Sequence, residues 1–244
     1  MFAATADAFV ALAEPLARRG ETEHTAAAIQ SMSGALRGAK RSNSPLIGRL
    51  PVPLPRNQGL HPKKTELVEA EMSFNFHIQT FENVRVEDIF CEIQVCVRGL
   101  VDVGGILVEL EDHWRIDTQK HSAEDGGRAP REAHPLFHYQ RGGHAQDEFA
   151  AHEGFLPGPV LPKLEGLRAL MQYPGPRIAV MPMCPTLALD NVLSQHDGPL
   201  WRNLRDIPEY HNLVAQQRAM MWELYDAALR DETRRSALIS AVDW

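Results

Sequence analysis

The sequence predicts an α+β fold: a central antiparallel sheet with a helical N-terminal hairpin and a C-terminal helical cover. Three observations predict it. Apolar residues recur at helical spacing before residue 38 and after residue 185. Between them, several stretches alternate apolar and polar residues, as half-buried strands do. Those stretches follow one another through short connections without intervening helices, which favours an antiparallel meander over a parallel sheet.

Residues 3–19 place Ala6, Val10, Ala13 and Ala17 at helical spacing, with Arg18, Arg19 and Gly20 as a stop signal. Pro15 requires this helix to kink or restart, because a proline inside a helix costs about 3 kcal/mol. A second helix is predicted over 21–37, ended by Gly38. From Arg37 to Lys64 come Arg37, Lys40, Arg41, Arg49, Arg56, Lys63 and Lys64 with no acidic residue between them, and prolines stand at 51, 53 and 55. That composition predicts an extended linker or basic arm over 38–70.

Four strands are predicted in the body, 71–244. Phe74, Phe76 and Ile78 alternate with Asn75, His77 and Gln79. Cys91, Ile93, Val95 and Val97 alternate with Glu92, Gln94, Cys96 and Arg98. After Gly104 and Gly105, Ile106, Val108 and Leu110 begin a third strand towards Trp114 and Ile116, and a fourth lies around 136–140. A helical segment opens at Pro185 and ends near Gly198. A longer helix from Pro208 to about residue 230 carries Leu213, Gln217, Met220, Leu224 and Ala228 on one face. That stripe reads as core packing.

The net charge of −7 argues against broad nucleic-acid binding, which needs a positive footprint, except through the basic 37–64 arm. Three cysteines do not make a disulfide framework, so a reducing, cytoplasmic setting is expected. The apolar run Ala8 to Ala13 ends at Glu14 and Pro15, well short of the roughly 20 residues of a membrane span. No membrane partner is expected. Phosphate-loop, His-Glu-x-x-His, Cys-x-x-Cys and Gly-x-Ser-x-Gly motifs do not occur in the chain.

The chemistry-bearing residues are histidines, eleven in all, and they cluster: His113, His121, His134, His138, His144 and His152. Zinc accepts imidazole and carboxylate ligands at about 2.0–2.2 Å, so its ligands must sit within a few ångströms of one another. A turn through Arg141, Gly142 and Gly143 would set His138 diagonal to His144, roughly 7–8 Å away by Cα. If 145–153 is helical, Glu148 lies one turn beyond His144. His138, His144 and Glu148 are therefore the candidate metal ligands, with His121, Asp117 or Cys184 closing the set and zinc as the expected metal. The bland alternative is a group of surface or hydrogen-bonded histidines.

Cys184 is the candidate nucleophile. It precedes Pro185 at a helix start, where backbone N–H groups favour the thiolate. A cysteine-dependent hydrolase or transferase would also need His196 or the 138–144 cluster beside it. The apolar neighbours Met181, Pro182, Met183 and Leu187 instead predict a buried, inert thiol.

The stretch His134-Pro-Leu-Phe-His138, with Gly142-Gly143-His144, resembles metal-binding proteins encoded with bacterial ubiquitin-like conjugation genes. Tyr173-Pro-Gly-Pro-Arg177, followed by Pro182, Pro185 and a helix, resembles the second half of an E2-type fold. The E2 signature His-Pro-Asn and its downstream cysteine do not occur, so the resemblance implies an accessory role within a multiprotein assembly and not conjugating activity. The expected function is thus that of a histidine-rich metal-binding accessory protein with other proteins as partners. The alternatives are an interaction module using the basic arm and terminal helices, and a Cys184 enzyme.

Overall fold

The computed structural model describes residues 1–42, 44–55, 63–79, 83–118, 137–141, 168–170 and 184–231. For Arg41, Ser42, Glu87, Ile106, residues 137, 138, 140 and 141, and 168–170, the description is of the backbone.

Helices α1 (Phe2–Ala11) and α2 (Ala13–Ala17) divide the first predicted helix at Leu12. The restart resolves Pro15: it sits in the first turn of α2, where its missing N–H would have had no intrahelical partner. A 3-10 turn at Gly20–Thr22 leads into α3 (Glu23–Ser42). This helix runs past Gly38, its predicted stop. Ala39 packs against the core, and Lys40 Nζ lies 2.6 Å from Asp7 Oδ2 on α1, which together carry the last turn.

The predicted linker is corrected by the structure. Residues 46–51 form strand β1 (Leu46–Pro51), and β2 begins at Glu66 (Glu66–Ile78), so both flanks of the expected arm enter the sheet. Leu46 and Leu50 point into the core and are fully buried. Gly48 stands between them: a Cβ there would meet the Phe74 ring and lie 2.7 Å from Met32 Sδ, so glycine lets α3 approach the sheet. Arg49 points the other way and pairs with Glu71 at 3.2 Å. The prolines and one-signed charge concealed an alternation of only three inward positions.

Strands β3 (Ile89–Val103) and β4 (Ile106–Thr118) form a long hairpin. Gly104 and Gly105 both have positive φ, 65° and 86°, as a two-residue turn of this hand demands. Asp102 Oδ1 accepts from Gly105 N at 2.7 Å and holds the tip. Strand β5 (Phe137–Arg141) continues the antiparallel order β1-β2-β3-β4-β5. The short β6 (Arg168–Leu170) pairs parallel with β4 at Glu109–Glu111, an unpredicted addition.

Helices cover one face of this sheet. Phe2 stacks on Phe76, and Phe9 meets Phe74 edge-on at 4.9 Å. The N-terminal helices therefore share the core of the strands. Helices α4 (Pro185–His196), α5 (Gly198–Arg205) and α6 (Pro208–Arg230) complete the cover; α4 and α6 match the predicted ranges closely, and α5 is an unpredicted addition. Asp190 binds them together. It accepts from Trp201 Nε1 at 2.9 Å, Arg205 Nε and Nη2 at 2.9 and 2.7 Å, and Tyr210 Oη at 3.1 Å. Among the described residues, no helix is long and apolar enough to cross a membrane.

Candidate metal centre on the polar face of the sheet

Period-two alternation sorts the strands into two faces. The helix-covered face carries the row Phe74, Ile93, Ile116, Tyr139 in register. One residue further along, the opposite face carries Asn75, Glu92, Asp117, His138. A histidine of the predicted metal set thus stands directly opposite Asp117, with Glu92 on the next strand.

Register follows from local chemistry. The two-residue turn at Gly104 and Gly105 pairs Val103 with Ile106 and, counting outward, Glu92 with Asp117. At the far end, Thr118 Oγ1 accepts from Cys91 N at 2.8 Å and donates to the Ile89 carbonyl at 3.2 Å, locking β4 to β3 beside Asp117. The Asp117 carboxylate is almost fully buried and lies 3.1 Å from Arg115 Nε, two residues back on the same face. Glu92 Oε1 accepts from Gln94 Nε2 at 2.5 Å.

Adjacent strands stand about 4.8 Å apart, so Glu92 and His138 are each one strand from Asp117 and roughly 10 Å from each other. Two carboxylates with an imidazole suit zinc. Among the described residues, no three His, Cys, Asp or Glu side chains are already gathered around one point. His121, His144 and Glu148 lie outside the described residues.

Asn75, Glu92, Gln94 and Ser73 also line a groove of about 340 Å³ that reaches Arg49 and the exposed Ile47 on β1. Asn75 Oδ1 is buried there without a hydrogen-bond partner among the described residues. A second polar row, Glu71, Cys96 and His113, lies nearby on the same face. Burial, with Glu111 beside it, pushes the Cys96 thiol up to about 12. The sequence reading singled out neither Glu92 nor the Cys96–His113 pairing. Both could have been found by counting outward from the double-glycine turn.

Cys184 belongs to the other face. It is the N-cap of α4, completely buried, with Sγ 3.7 Å from Gln217 Oε1. Burial pushes its thiol up to about 12, while the backbone N–H groups of Leu187 and Thr186 pull the other way. The helix-start effect expected for Cys184 is therefore present but outweighed. Its proposed partner His196 is at the opposite end of α4, about 18 Å away at 1.5 Å per residue. His138 is on the other side of the sheet. Cys184 thus neither pairs with these histidines nor closes a ligand set with His138.

His196 is itself nearly fully buried, and burial pushes its imidazole down to about 4 against the opposing pull of the Pro53 carbonyl. It holds the end of α4 against the segment that follows β1. Comparison of the chain with protein-family models, with curated proteins and with solved structures returns no match.

Proposed function

We propose that this chain is a histidine-rich metal-binding protein that holds a divalent transition metal, zinc above all, on the polar face of its sheet. Glu92, Asp117 and His138 are the central ligands, with His144, Glu148 and His121 as further donors. The observation that carries the reading is the register: Asp117 faces His138 across the β4–β5 ladder, with Glu92 on its other side. The metal would lend folding free energy to the edge of the sheet, because binding to the folded state alone shifts the equilibrium towards it.

We further propose an accessory role for the protein in a larger cytoplasmic assembly. The resemblance around His134, His138 and His144 supports this. So does α6, where Trp222 and Leu229 are 48% and 41% exposed. Those two side chains also favour a second reading, an interaction module without a metal.

One experiment separates the two readings. Untagged protein is analysed for metal and then heated with and without added zinc. The metal reading expects stoichiometric zinc and a higher Tm with zinc present, both lost in Asp117→Asn combined with His138→Ala. Protein without zinc, and with a Tm that zinc does not move, favours the interaction module.

A further inference from the structure

Arg115 contacts the central ligand of the proposed centre. Its Nε lies 3.1 Å from Asp117 Oδ2, with the two side chains only 21% and 11% exposed. In such partial burial an ion pair is worth more than at the open surface. The neighbouring carboxylates are engaged by other arginines: Glu69 and Glu111 by Arg98, and Glu71 by Arg49. In register, Arg115 stands between Gln94 and Gln140, which carry no charge.

We infer that Arg115 competes with the metal for Asp117. The guanidinium and a divalent ion seek the same carboxylate, and each repels the other. A metal must therefore bind Asp117 against the charge of Arg115. This sets a threshold at the site: ions that bind nitrogen and oxygen donors tightly pass it, and weakly held ions such as magnesium do not.

The inference rests on the metal reading above, and its test keeps the two apart. Zinc affinity is measured by competition against a chromophoric chelator for the full-length chain, Arg115→Gln and Arg115→Lys, each first checked for folding by circular dichroism. Arg115→Gln removes the competing charge and is expected to bind zinc about tenfold tighter. Arg115→Lys retains the charge and is expected to fall between it and the original protein. Equal or weaker binding by Arg115→Gln overturns the competition and makes Arg115 a support for Asp117. If none of the three binds zinc, the metal reading fails, and this inference fails with it.

Discussion

The two faces of the sheet are built from the same strands, one residue out of step. Phe74, Ile93 and Ile116 lie under helices, and each is almost wholly withdrawn from solvent. Asn75, Glu92 and Asp117, their immediate successors or neighbours in sequence, form a polar row on the other side. Burying an isoleucine or phenylalanine stabilises by about 1.5–3 kcal/mol, so the first row holds the fold together. The second is polar and sets Glu92 and Asp117 in register with residue 138. Because a one-residue slip would exchange the faces, the apolar row also fixes where the polar row stands.

Truncation gives the widest contrast between the faces. Ile93→Ala should cost about 3–4 kcal/mol in urea unfolding, since the fully buried site cannot refill itself. Gln94→Ala, the next residue along but on the polar face, should change stability by less than about 0.5 kcal/mol. Similar costs at the two positions would break the comparison.

Acid acts next, through the helical side. The His196 imidazole titrates near 4 in the folded chain and near 6.5 when unfolded. Between those values the unfolded chain binds more protons, so stability falls as pH drops through the window and the loss is complete below about 4. The difference corresponds to about 3 kcal/mol. His196→Gln should therefore destabilise the protein more at pH 7.5 than at pH 4.5. A penalty that does not change with pH would place His196 in contact with water.

The cysteines offer the finest discrimination. Cys91 and Cys184 are completely buried on the helical side, and Cys96 is half-buried on the polar face. Brief alkylation of the native protein should modify Cys96 at least about tenfold faster than the others, although all three thiols are held above their ordinary range. Rapid labelling of Cys184 would revive it as a nucleophile.

The amino-acid sequence determined a good deal by itself. Alternation over 74–78 and 91–98, the glycine pair at 104–105 and the long apolar stripe after Pro208 each specify an element through local geometry. The same period of two places Glu92 and Asp117 on faces opposite their apolar neighbours, and the tight turn sets their pairing. The apolar residues flanking Cys184 likewise announced its burial.

Tertiary structure decided the rest. Strand β1 carries one basic residue, Arg49, and ends on Pro51, and only α3 and the Phe74 ring reveal why Gly48 and its flanking leucines belong in the sheet. The Asp190 network joins residues 20 and more positions apart, beyond any helical repeat. Most tellingly, Asp117 and His138 pair in register across a connection longer than any turn rule governs. No local chemistry fixes the register of β5 on β4. It is set where the chain returns to an edge whose inward positions, Ile116 and Tyr139, must fall on the helix-covered face, and that choice brings the histidine to the aspartate.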